Sequence, residues 1–247
     1  MSLADDIHAT RSSCVAVLRY WQTKPPKLKN GKLQPAQYGV GWGSGFCVVE
    51  NRYIVTAHHI LNNGQPRRKG DSFVAFVVPE NGATAFHFPV VGFPCERVDC
   101  DTALLELGPC ATAGVDLPAI PVRFTVPPDG SRVVTVGFPS PEVQGISVDE
   151  HGVYRGGSFF LKSHANEGII SAQYEFGGLE TVEFNVGWHH GESGGPVVVR
   201  GEPRAAFTLM QHYRNIQGPH AVMAGPHRGR TLKAIEAELR SVGATVA

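Results

Sequence analysis

The chain has 247 residues, 42% hydrophobic and 18% charged, and its 22 basic residues balance 22 acidic ones to a formal net charge of zero. That length supports one large domain or two small ones, each able to bury a core. No basic run beyond Arg67-Arg68-Lys69 stands out, which argues against nucleic acid as the main partner and leaves that run as a solvated loop.

The N-terminal segment Met1-Ser2-Leu3-Ala4-Asp5-Asp6-Ile7-His8 has neither a basic leader region nor an apolar stretch. No run approaches the roughly 18 apolar residues of a membrane span, so neither export by that route nor a membrane partner is expected. Five cysteines, Cys14, Cys47, Cys95, Cys100 and Cys110, make an odd number that suits reduced thiols and a cytoplasmic setting. Cys95, Cys100 and Cys110 do not have the close pairing of zinc ligands, and neither a metal nor a cofactor is expected.

Residues 13–21 alternate as a first strand. Residues 24–34 read as a polar, proline-containing loop, either a solvated excursion or a substrate-facing insertion. Strands follow near 40–49, 53–56, 73–78, 85–93 and 103–107, separated by glycine, asparagine and proline. Residues 108–130 carry no periodic pattern and read as a connection between two halves. Strands resume at 132–137, 158–162, 168–172, 180–186, 196–199 and 205–212, with a loose glycine-bearing loop at 139–157. The end changes period: Thr231 caps a helix carrying Leu232, Ile235, Leu239 and Val242, stopped by Gly243. The pattern is all-β with one C-terminal helix.

Three stretches carry chemistry. In Gly191-Glu192-Ser193-Gly194-Gly195-Pro196 a serine is held among glycines, which let the backbone approach a ligand closely. A serine is a weak nucleophile alone and needs a base and an orienting acid. Thr56-Ala57-His58-His59 ends a β-type run in histidine, and Asp101-Thr102-Ala103-Leu104-Leu105 sets an acid at the head of an apolar strand. The serine stretch also fits the nucleophile elbow of α/β-hydrolases. That elbow needs a helix after the serine, with acid and histidine downstream, whereas Pro196-Val197-Val198-Val199 reads as a strand and fewer than sixty residues remain.

Together with Gly43-Ser44-Gly45-Phe46, these segments resemble the trypsin/chymotrypsin-like serine peptidases, particularly the protease domains of the bacterial HtrA-type members, over roughly residues 38 to 240, and no PDZ domain is expected beside them. The resemblance implies two six-stranded Greek-key β-barrels, at 1–120 and 121–228, with a C-terminal helix at 229–243, forming a single peptidase domain. It makes His59 the general base, Asp101 the orienting acid and Ser193 the nucleophile, in the order and roles of the triad. The amides of Gly191 and Ser193 would form the oxyanion hole. Gly187, Trp188, His189 and His190 would line one wall of the substrate pocket, and Thr208, Met210 and His212 the other.

The sequence also departs from that pattern. Ile60 follows His59, so the disulfide that animal relatives carry there is absent. No Ile-Val-Gly-Gly start exists, and the residue before the serine is Glu192, expected to face solvent or meet an arginine. The oxyanion loop is therefore either preformed or ordered by an activating protein partner. No carboxylate lies at the expected pocket base, which argues against a preference for arginine or lysine. A small or apolar side chain is expected there, with an acidic one as the alternative because of His189, His190 and His212. The function implied is a cytoplasmic serine endopeptidase, regulated or acting as an effector, cleaving protein or peptide substrates. The alternative is a silent pseudoprotease that binds peptides by strand addition.

Overall fold

The computed structural model describes residues 2–79, 84–187, 189–201, 205–217 and 222–247, with backbone alone at 212–217 and 222–225. The first half opens with α1 (Leu3–Ser12), then β1 (Cys14–Lys24), a small ribbon of β2 (Lys27–Lys29) and β3 (Lys32–Gln34), β4 (Gln37–Val49), β5 (Tyr53–Ala57) and the one-turn helix α2 (His59–Asn62). It continues through β6 (Ser72–Val77), β7 (Phe86–Arg97) and β8 (Thr102–Leu107). Six of these strands close an antiparallel barrel in the order β1-β4-β5-β8-β7-β6. β1 is buried along its whole first stretch from Cys14 to Tyr20, because one face lines the barrel and the other is covered by neighbouring elements.

The second half contains β9 (Arg132–Gly137), β10 (Glu142–Val148), β11 (Tyr154–Phe160), β12 (His164–Phe176), β13 (Leu179–Asn185), β14 (Pro196–Val199), β15 (Ala206–Leu209), β16 (His212–Gln217) and β17 (Val222–Arg230). Seven of them form one sheet in the order β15-β14-β9-β12-β13-β17-β16. The architecture is the all-β, chymotrypsin-like two-barrel fold, closed in the first half and a half-barrel of seven strands in the second. The chain ends in a 3-10 turn (Leu232–Ile235) running into α3 (Glu236–Ser241), a shorter and tighter helix than the spacing at 229–243 predicts. Among the described residues no helix is long and apolar enough to cross a membrane.

One continuous core holds the halves together. Val15, Phe46, Ile54, Leu104 and Leu105 of the barrel join Val134, Val136, Val198 and Leu209 of the second half, and Leu232, Ile235 and Leu239 of the terminal helix, in a single buried cluster. A smaller cluster around Val133, Ile170, Phe184, Val197 and Phe207 fills the second half alone. The connection at 108–130 is part of the shared core, with Leu117, Ile120 and Val122 fully or almost fully buried.

Three elements form where the sequence pattern predicts neither a helix nor a strand. α1 starts on a capping box in which the Asp5 amide donates to Ser2 Oγ at 3.2 Å and the Ser2 amide donates to Asp5 Oδ2 at 2.9 Å. Residues 24–34 hold a hairpin turned by Asn30 and Gly31, at φ +51° and +73°. Residues 139–157 mostly belong to the β10–β11 ribbon, which lies across the first barrel. There Phe159 packs on Trp42 and Phe76 with ring centroids 5.6 and 4.8 Å apart. The Tyr20 hydroxyl donates to the Gly152 carbonyl and accepts from the Tyr154 amide, both at 3.1 Å.

Candidate active site

β5 and β8 are antiparallel neighbours with Ala57 opposite Thr102. This register delivers the end of one strand and the start of the other to the same rim, although His59 and Asp101 are 42 residues apart in sequence. His59 Nδ1 lies 2.8 Å from Asp101 Oδ2, and the His59 backbone amide donates to Asp101 Oδ1 at 2.8 Å. Both carboxylate oxygens thus hold one residue. Asp101 sits at φ +50°, a left-handed conformation that aspartate tolerates better than most side chains. Its carbonyl accepts from the His58 amide at 3.1 Å, so backbone and side chain grip the same turn. His58 is buried, and that desolvation lowers its pKa against the opposing pull of Asp101.

The serine loop docks on this rim from the second half. The Ser44 amide donates to the Ser193 carbonyl at 2.7 Å, and the Gly194 amide donates to the Met210 carbonyl at 2.6 Å. Gly191 and Gly194 have φ of +100° and +90°. A Cβ at Gly194 would overlap the Ser44 carbonyl oxygen, and one at Gly191 would overlap that of Phe138, so both positions demand glycine for conformation and for space. Ser193 is 5% exposed, and its hydroxyl donates to the Gln211 carbonyl at 3.1 Å. Among the described residues His59 Nε2 makes no hydrogen bond, and the Ser193 hydroxyl is turned to the Gln211 carbonyl. Loose geometry of this kind is common before substrate binds.

The loop that would receive an oxyanion is pinned at its carbonyls. The Ser140 amide donates to the His190 carbonyl and the Ser44 hydroxyl donates to the Gly191 carbonyl, each at 2.7 Å. Ser44 Oγ also accepts from the Phe138 amide at 2.9 Å. In a trans peptide the N–H points opposite to the C=O, so the Gly191 amide faces away from Ser140. Neither the Gly191 nor the Ser193 amide donates to another group among the described residues.

Glu192 is 2% exposed, contrary to the expectation that it faces solvent or meets an arginine. Its Oε2 accepts from the His189 amide at 2.7 Å and its Oε1 from Asn166 Nδ2 at 3.2 Å, while the Glu192 amide donates to the His189 carbonyl at 3.2 Å. Burial raises its pKa and these hydrogen bonds, with nearby His189, pull in the other direction. The carboxylate closes the 189–192 turn on itself and takes its partners from the chain rather than from a new N-terminus.

The expected pocket residues separate. Gly187, His189 and His190 are exposed along the rim. Thr208 and Met210 are buried in the core instead of lining an open wall, and the Thr208 hydroxyl donates to the Arg230 carbonyl at 2.5 Å. Trp188 and the His212 side chain lie outside the described residues. Gln211, which the sequence did not single out, is 1% exposed and links the two halves. Its Nε2 donates to the Cys100 and Asp101 carbonyls at 2.7 and 2.9 Å, and its Oε1 accepts from the Arg230 amide at 2.8 Å. His227 lies near His189, and burial followed by that neighbour lowers its pKa. Among the described residues no group of three or more histidine, cysteine or acidic side chains is arranged to hold a metal.

A family model described as a trypsin-like peptidase domain matches residues 43–202. No curated protein sequence matches the chain. Among solved structures, the HtrA-type protease AlgW with a tripeptide superposes at TM-score 0.60 and 14% identity, covering 98% of this chain and 64% of AlgW. A substituted form of AlgW with a tripeptide gives TM-score 0.60 at 15% identity with the same coverage, so the chain spans just under two thirds of the length of these relatives. Deg5 gives TM-score 0.55 at 16% identity, covering 84% of this chain and 83% of Deg5. At these identities the likeness is one of fold.

Proposed function

Given that the chain belongs to the trypsin-like peptidase domain family, matched over residues 43–202, we propose that it is a serine endopeptidase working through Ser193, His59 and Asp101. The observation that carries this reading is the doubly held His59–Asp101 pair, at 2.8 Å from each carboxylate oxygen, beside a buried serine in a glycine-framed loop. With Nδ1–H donated to Asp101, His59 Nε2 is left as the proton acceptor. On substrate binding the Ser193 hydroxyl swings from Gln211 to His59 and attacks the peptide carbonyl carbon. Its proton passes to His59 Nε2, and the negative oxygen is received by the Gly191 and Ser193 amides. His59 then protonates the departing amine, leaving an acyl-enzyme that water cleaves with the same histidine as base.

The pinned carbonyls of His190 and Gly191 and the self-closed Glu192 turn support a preformed oxyanion loop over one that waits for a partner. The five free thiols support a reducing, cytoplasmic setting. Incubation of the purified protein with denatured casein is expected to yield fragments, and Ser193→Ala is expected to yield none. Cleavage retained by Ser193→Ala would refute the assignment. A folded wild type that leaves casein intact would favour the pseudoprotease reading, for which the Ser193–Gln211 hydrogen bond is the supporting observation.

A further inference from the structure

The β1–β4 ribbon continues past the barrel, with Lys24 paired to Gln37, and carries the β2–β3 hairpin outward at its end. Every residue of β2 and β3 is exposed. The two-residue turn with positive φ at both Asn30 and Gly31 is the tight type I′ form, which fixes register. Leu28 therefore stands directly opposite Leu33, and Lys29 opposite Lys32. The leucines are 68% and 72% exposed, the highest among the exposed large apolar side chains of the described residues.

Charge is concentrated at the same place. Lys24, Lys27, Lys29 and Lys32 are four of the chain's seven lysines, and no carboxylate occurs between Asp6 and Glu50. They are spaced by other residues, so they form no contiguous basic run. Among the described residues none of them takes part in an ion pair, while the ion pairs present are made by arginine and histidine.

We infer that this hairpin is a docking element for the anionic surface of a lipid bilayer, with Leu28 and Leu33 entering the interfacial layer and the lysines meeting the headgroups. Lysine stems lie along apolar surroundings and carry the ammonium out to charge, so residues on the opposite face of so thin a ribbon still reach the headgroups. Between residues 24 and 37 there is no arginine and no aromatic residue. Nucleic-acid surfaces are read largely by arginine and by aromatic stacking, and protein hot spots are built on tryptophan, tyrosine and arginine. Exposed aliphatic side chains with point-charge lysines fit a fluid anionic interface better than either. This departs from the expectation that the protein has no membrane partner, and it is independent of the catalytic assignment.

The test is co-sedimentation of the full chain with vesicles of phosphatidylcholine mixed with phosphatidylglycerol, against vesicles of phosphatidylcholine alone. The protein is expected to pellet with the mixed vesicles at low salt and to be released at high salt, where screening shortens the reach of charge. Each Lys→Gln change among the four is expected to weaken binding about fivefold, and Leu28→Ser with Leu33→Ser to weaken it at low salt although every lysine is kept. The thermal midpoint of these variants is expected to match wild type, because the hairpin is exposed. Equal partition to both vesicle types, binding undiminished in the variants, or tighter capture by duplex DNA or polyglutamate than by the mixed vesicles would each overturn the inference.

Discussion

Asp101 accepts two hydrogen bonds from one residue, one at each carboxylate oxygen, and an asparagine there could accept only one. Its oxygen would keep the His59 amide and its NH2 group would donate to Nδ1, forcing the proton onto Nε2. Asp101→Asn is therefore expected to fold normally and to lose about 10⁴-fold in kcat/KM, measured on a chromogenic peptide or by inactivation rate. Glu192 makes a prediction of the opposite kind. Its pKa is raised by burial, so its protonated form is favoured in the fold. The stability it contributes is complete below the ordinary carboxylate range and is lost as pH rises through the raised value. Glu192→Gln keeps an acceptor for the His189 amide and carries no charge. Its melting temperature is expected to exceed that of wild type by a margin that widens from acid to neutral pH. A margin independent of pH would contradict the buried carboxylate. At this scale the His59–Asp101 contact and the glycine-framed turn at Ser193 were legible because each residue sits in a short local pattern of distinctive types. The contacts of Gln211, Ser44 and Ser140 were not, since they run to backbone groups far along the chain, which no local pattern records.

β4 joins the halves at the serine loop. Through Ser44 it bonds the Gly191 and Ser193 carbonyls and the Phe138 amide, and the Ser44 carbonyl accepts from Thr56 Oγ1 at 2.6 Å. Ser44→Ala would leave a buried amide and a carbonyl unpaired, at a cost of about 1–3 kcal/mol each. It would also free the Gly191–Glu192 peptide, which adjoins the peptide carrying the Gly191 amide, and kcat is expected to fall by up to about 10²-fold with KM little changed. An unchanged kcat would show that Ser44 does not hold the oxyanion loop in place. The strands of the first barrel were legible as apolar runs bounded by turn residues. The β10–β11 ribbon was not, because register shifts between Val143 and Gly145 and between Ser147 and Val148 break the alternation, and Gly156 and Gly157 dilute it further. The Asn30–Gly31 hairpin and the Ser2–Asp5 capping box each carried a recognisable local signal, masked by flanking prolines in the first case and by the weakly apolar face of α1 in the second.

The larger of the two cores is shared by both halves, and the candidate site lies on the seam between them. His59 and Asp101 belong to the barrel, Ser193 and Gln211 to the second half, and the terminal helix ties both through the Arg97 side chain, which donates to the Ala234 carbonyl at 3.3 Å. Thermal unfolding followed by circular dichroism is expected to show a single transition, and separate transitions for the halves would contradict a shared core. The catalytic assignment is tested most directly by a fluorophosphonate probe applied to the purified protein without any partner. The probe is expected to add covalently to Ser193, located by peptide mass mapping, and to leave folded Ser193→Ala and His59→Ala unlabelled. A folded wild type that stays unlabelled, or labelling that persists in Ser193→Ala, would contradict an assembled Ser193–His59–Asp101 nucleophile.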